Sequence, residues 1–136
     1  MTKSNKELIP VFYGDFPVKL LPDITLNPHT FGFPLHWHER IEFHRIKEGI
    51  LEIFCNDKQL VAKKDDIVII SPTLSHSGTS GAEGVIYDVV MFDLAELAGN
   101  NKTIVDFLKP LYEGKIFFDT ITENPLILEE LDKIIE

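Results

Sequence analysis

The chain has little cysteine: one residue, Cys55, in 136. A single thiol excludes an internal disulfide framework and is the usage expected of a reducing, cytoplasmic compartment. Long apolar runs are also missing. Nothing approaches the roughly 20 residues that a membrane helix needs, and the opening MTKSNKELIP has no apolar stretch of the kind a secretion signal carries. Basic residues are scarce beside acidic ones, with 13 Lys and Arg against 22 Asp and Glu, a net charge of −9. So acidic a surface repels phosphate, which argues against this piece of chain gripping nucleic acid or an anionic membrane by itself. There is no internal repeat and no low-complexity stretch. The expectation is a soluble cytoplasmic protein with no membrane partner.

What is present is ordinary for a folded domain. Hydrophobic residues make up 44% and charged residues 26%, and the length suits one domain rather than two. The character changes once, near Met91–Leu94. Residues 1–93 read as a β unit with an N-terminal arm, and residues 94–136 as a helical tail. Candidate strands are Val18–Leu21, Ile41–Lys47, Ile50–Cys55, Gln59–Ala62, Ile67–Ile70 and Val85–Phe92. Turn residues separate them: Glu48-Gly49, Asn56-Asp57, Asp65-Asp66, Ser71-Pro72 and the stretch Gly81–Gly84. Short strands at roughly 8–12-residue spacing predict an antiparallel sandwich or barrel. Asn56-Asp57 predicts a hairpin, because both residue types tolerate left-handed backbone angles. The β-branched run IVII is too short for a helix and predicts a strand buried on both sides.

In the tail, Ile104, Val105, Phe107, Leu108 and Leu111 recur at helical spacing, with Pro110 predicting a kink or an early end and Gly114 a stop. KIFF predicts a short strand. Asn124-Pro125 is a helix start, a capping side chain followed by a residue preset to helical φ. Beyond it Ile127, Leu131, Ile134 and Ile135 share a face. That helix runs to Glu136 with no stop signal. A helix of about 12 residues with a bare apolar face is marginal alone, so either the chain is cut short or this face packs on the domain or on a partner.

Four of the five histidines lie between His36 and His76. On a strand, residues two apart share a face, so His36 and His38 point the same way about 6.6 Å apart. Two imidazoles so placed can converge on one ion. Glu42 has the same parity but lies roughly 13 Å further along an extended strand, so sharing the ion requires a bulge or bend near Glu39–Ile41. The apolar parity shifts in IEFHRIK, from Ile41 and Phe43 to Ile46, as irregular pairing would produce. His76, from a separate element, closes a set of three nitrogens and one oxygen that would suit zinc, nickel, iron, manganese or copper. The competing reading is a solvated strand face, because Arg40 and His44 share the parity of the pair. His29 reads as a loop residue.

These residues resemble the cupin superfamily. His36, His38, Glu42 and Gly49 follow the spacing of its first signature, with Gly32 standing closer to the pair than the usual glycine does. Asp66-Ile-Val-Ile-Ile-Ser-Pro72-Thr-Leu-Ser-His76 resembles the second, with Asp65 where the family has glycine and Ser80 where it has asparagine. More narrowly, HWHE-R-IEFHRIKEG, DDIVIISPTLSHSG and the tail FLKPLYEG resemble the N-terminal sensor half of AraC-type transcription regulators, over roughly residues 30 to 136. The resemblance implies a mainly β fold, a cupin-like antiparallel β-barrel or jelly roll followed by C-terminal α-helices. It implies a small-molecule effector lined by His36, His38, Glu42, His44, His76 and Tyr87, with a divalent metal on His36, His38, Glu42 and His76. It implies a homodimer made by the helices, or else helices that cap the sheet. DNA would be reached only through a C-terminal helix-turn-helix domain that these residues do not contain. A small metal-dependent cupin enzyme, an isomerase or dioxygenase, is the alternative; against it, no general acid or base is evident apart from His44.

Overall fold

A computed structural model describes residues 18–37, 40–95, 99–115 and 118–135. Its elements in chain order are β1 (Val18–Leu26), β2 (Phe31–His36), β3 (Ile41–Cys55), β4 (Lys58–Lys63), β5 (Ile67–Ile70), β6 (His76–Phe92), α1 (Lys102–Tyr112), β7 (Ile121–Thr122) and α2 (Pro125–Ile135). Two long strands organise the rest. β3 and β6, 15 and 17 residues long, pair antiparallel along their lengths. Near Ile41–Arg45, β3 also pairs with β5, and near Ile50–Cys55 with β4. β6 likewise takes β1 along Val85–Phe92 and β2 along His76–Thr79.

The two long strands bend together. The β3–β6 register slips between Ile46 and Glu48 and between Gly49 and Leu51. Gly49 and Gly84 both hold φ of +79°, a left-handed conformation that costs other residues energy. They also touch: a Cβ on Gly49 would lie 2.1 Å from the carbonyl oxygen of Gly84. The bend brings one core together from both ends of the long strands. Ile46, Tyr87, Val89 and Met91 from one end pack with Leu51, Ile53, Cys55 and Ala62 from the other.

The sheet is not closed into a barrel, contrary to the expectation from sequence. Its strand order is β1-β6-β3-β5-β7, with β2 joined to β6 and β4 to β3, and β1 and β7 remain at opposite ends. The bend at Gly49 and Gly84 brings the inner face together without ring closure, and the two-residue β7 offers almost no ladder for a partner.

The strand Ile67–Ile70 is as expected, with Val68 and Ile70 in the inner core and Ile67 and Ile69 in a second cluster outside. β3 is buried on two sides in the same way: Ile41 belongs to the outer cluster, with Phe43 packed against it, and Ile46 to the inner one. The shift of apolar parity in IEFHRIK therefore records a second buried face, and pairing is regular from Ile41 to Ile46. α2 covers the outer cluster through Leu131, with Ile127 and Leu128 packed against it. Its start is as read: Asn124 Oδ1 accepts from Leu126 N at 2.9 Å, a cap worth about 1 kcal/mol. Arg45 of β3 is salt-bridged to Asp132 of α2. α1 carries Pro110 inside its last turn and stops at Gly114, whose φ is +76°. The expected strand KIFF falls partly outside the described residues, and β7 lies further on. Among the described residues no helix is long and apolar enough to cross a membrane.

Candidate functional site

On β3, Glu42 and His44 are two apart and share the inner face with Ile46. Both are buried, at 4% and 1% exposure. Across the ladder, His44 faces Val89 and Ile46 faces Tyr87, so Tyr87 reaches the same interior. His76 begins β6 and is fully buried. The glutamate lies between the two rings: Glu42 Oε2 is 2.5 Å from His44 Nε2 and 3.5 Å from His76 Nε2. The competing reading of His44 as a surface group is therefore corrected. The second strand face, filled by Ile41 and Phe43, leaves no solvated side at that point of β3.

The hydrogen-bond partners assign the ring protons. His76 Nδ1 faces the carbonyl oxygen of Leu74 at 3.0 Å and can only donate to it, which turns its Nε2 towards Glu42. His44 Nε2 donates to the Glu42 carboxylate, leaving Nδ1 as the acceptor. That atom is buried and has no hydrogen-bond partner among the described residues. Aromatic rings surround both imidazoles. Tyr87 stacks on His44, centroids 5.4 Å apart and 21° between planes, and Phe33 meets His44 and His76 edge-on at 5.4 and 5.6 Å.

The enclosure shows in the acids nearby. Burial, with the Glu42 charge adding to it, pushes the Tyr87 hydroxyl up to about 12. Cys55, cross-strand partner of His76, is pushed up to about 11 by burial, partly offset by a hydrogen bond involving Thr120. Both groups stay protonated at neutral pH and present O–H and S–H donors.

The motif glycines have steric roles. A Cβ on Gly32 would lie 3.0 Å from Tyr87 Oη and 2.8 Å from Leu26 Cδ1, so the missing side chain lets β2 pass beside that hydroxyl. Asp65, where the family has glycine, holds φ of +71°, an angle aspartate tolerates better than most residues. Asp66 Oδ2 accepts from Lys63 N at 2.9 Å, which makes it a turn residue. Ser80, in the place of the family's asparagine, holds the loop between β1 and β2 by accepting from Thr30 N at 2.8 Å.

Of the expected site, Glu42, His44, His76 and Tyr87 come together. The backbone of His36 is in register with His76; the side chain of His36 and all of His38 lie outside the described residues. The bend at Arg40 separates β2 from β3, so Glu42 is not on one continuous strand with His36. Among the described residues no group of three or more His, Cys, Asp or Glu is arranged to hold a metal ion. Reading the sequence missed Phe33 and Cys55. Phe33 has the opposite parity to His36, and the register slips between the two.

A family model for the AraC-like ligand binding domain matches residues 24–115, which contain every member of this cluster. The chain belongs to the AraC-like ligand-binding domain family. Its fold is that of solved cupin structures. The Cnp3 cupin domain of Schizosaccharomyces pombe superposes with a TM-score of 0.54 at 20% identity, over 63% of this chain and 64% of that one. The chain thus spans just under two thirds of that relative. The plu4264 protein of Photorhabdus luminescens gives 0.54 at 20% identity, over 75% and 81% of the two chains. An RmlC-like cupin family protein from Methanocaldococcus jannaschii, described as a double-stranded β-helix, gives 0.51 at 17% identity, over 55% and 69%. No curated protein matches the sequence.

Proposed function

We propose that this AraC-like domain is the effector-binding and dimerisation part of a transcription regulator, and that its effector is a small polar molecule held at Glu42, His44, His76 and Tyr87. The observation that supports this is the His44 Nδ1 atom, a buried acceptor without a hydrogen-bond partner among the described residues. An unpaired buried polar atom costs about 1–3 kcal/mol, and an effector's hydroxyl or N–H would recover that. Tyr87 Oη would donate to an effector oxygen, and the Phe33 ring would present an apolar wall. DNA would be read by a C-terminal helix-turn-helix domain outside this sequence.

The same cluster would take a divalent metal on His36, His38, Glu42 and His76. His76 fits, because its Nδ1 proton is committed to Leu74 and its Nε2 is the ring atom on the Glu42 side. Imidazole nitrogen and carboxylate oxygen suit zinc, nickel, iron or manganese. A bound ion would supply a positive centre for an effector oxygen. Dimerisation would use α1, whose Ile104 and Phe107 are exposed. α2 caps the sheet through Leu131.

Thermal unfolding across a panel of sugars, organic acids and small aromatics tests the effector reading. A true effector at 100 times its Kd should add about 2.7 kcal/mol of stability. Glu42→Gln and His44→Ala should each abolish that gain. No active compound, or one equally effective on both variants, would overturn the reading. Elemental analysis of protein purified without chelator or nickel resin should find near one metal per chain, lost in His36→Ala and His38→Ala; a metal-free protein would overturn the metal assignment alone.

A further inference from the structure

The loop from β5 to β6, residues 71–75, joins the helical tail to the site. It opens with a turn closed by Leu74 N, which donates to Ser71 O at 3.3 Å. Pro72 stands second in that turn and Thr73 third, with φ of +72°. Proline second and positive φ third make the turn type II, which favours glycine in the third place. A β-branched residue there is strained, and such strain persists only where the surroundings fix it. The tail supplies those surroundings. Gly114, just past α1, lies so close that a Cβ on it would stand 2.5 Å from Thr73 Oγ1. Phe118 N donates to Ser71 Oγ at 2.8 Å, and Ile69 N to Thr120 O at 2.7 Å. One residue beyond Thr73, the Leu74 carbonyl accepts from His76 Nδ1.

We propose that Thr73 is a positioning residue, through which docking of the tail aims the His76 ring. Gly114 packed on Thr73 keeps the turn in its strained form. The turn directs the Leu74 carbonyl at Nδ1, and that bond fixes the ring with Nε2 towards Glu42. Without the tail, Thr73 relaxes to negative φ, the Leu74 carbonyl turns away and the ring is no longer held. Coupling between two sites is reciprocal. Whatever binds His76 in its aimed state therefore favours the docked tail, and a docked tail favours binding. This positioning role rests on the site reading above and adds a route from the site to the helices. The strain has a use in such an arrangement. A glycine at position 73 would hold the turn unaided, and the ring would be fixed whether or not the tail were docked.

Nitrogen-15 NMR of the full chain tests this without an effector, so the effector reading stands or falls separately. Gly114→Ala drives a methyl group against Thr73. It should let the His76 ring average between tautomers, while His44, bonded to Glu42, keeps its hydrogen on Nε2. Adding Thr73→Gly removes both the clash and the strain at that turn, so the double variant should restore the fixed His76 signal. A second measurement needs no substitution and decides alone if Gly114→Ala does not fold. In the wild type under mild urea, the α1 amides and the His76 Nδ1 proton should exchange together, at least about fivefold faster than the amides of the β3–β6 ladder. A His76 ring that stays fixed in Gly114→Ala overturns the proposal. So does a double variant that fails to restore it, or an Nδ1 proton still protected once α1 has opened. If His44 averages along with His76 in Gly114→Ala, the whole core has loosened and the positioning role falls.

Discussion

Stability should fall steeply as pH rises from 9 to 12, in two overlapping stages. The Cys55 thiol has an ordinary value of 9.0, raised to about 11 in the fold, and the Tyr87 hydroxyl an ordinary value of 10.0, raised to about 12. Below pH 9 both groups are protonated in the folded and the unfolded chain, and the full stability is present. Between pH 9 and 11 the unfolded chain loses the thiol proton while the folded chain retains it, so each further unit of pH favours unfolding. Tyr87 repeats the effect between pH 10 and 12. Two units correspond to about 2–3 kcal/mol per group, together a large part of the stability of a domain this size. Urea midpoints measured at steps of pH check it. Cys55→Ala should flatten the lower window and Tyr87→Phe the upper one. A wild-type midpoint that holds level from pH 9 to 12 would mean that the interior holding these two groups is wet.

Gly49→Ala should cost about 3 kcal/mol or more, enough to leave much of the protein unfolded if the domain is marginal. The added Cβ would meet three backbone atoms: the Gly84 carbonyl oxygen at 2.1 Å, its carbon at 2.9 Å and Val85 Cα at 2.9 Å. No rotamer change relieves a clash with backbone, so β3 and β6 would have to separate at their common bend. The left-handed φ adds about 1 kcal/mol for alanine. Glu48→Ala, one residue earlier at an exposed position, should stay within about 0.5 kcal/mol. Chemical denaturation of the two variants compares them. A cost below about 1 kcal/mol for Gly49→Ala would show that the two backbones do not meet there.

That glycine also marks how far local sequence carries. Glu48-Gly49 reads as a turn between two strands, and it is a bend inside one. Turn chemistry reports a backbone angle but not whether the ladder continues, which Gly84, 35 positions away, decides. Asn56-Asp57 joins two strands that pair directly across it, and the hairpin is as expected, with φ of +50° and +63°. The closed barrel failed for the same reason: whether β1 meets β7 is set by long-range pairing that strand spacing does not encode. In the site, parity placed Glu42 beside His44, and the cupin spacing supplied His76. Parity could not decide whether that face was wet, because Ile41 and Phe43 on the opposite face settle it. Cys55 was legible only across the ladder, where it meets His76.

Imidazoles from two strands meet at one buried carboxylate. Nitrogen-15 NMR of the histidine rings in the wild type and in Glu42→Gln tests that most directly. The expected result is fixed tautomers, with hydrogen on Nδ1 of His76 and on Nε2 of His44. Both sets of ring signals should move together on the substitution, while those of His29, exposed in the β1–β2 turn, hold still. Ring signals of His44 and His76 that average between tautomers and ignore Glu42→Gln would contradict that arrangement.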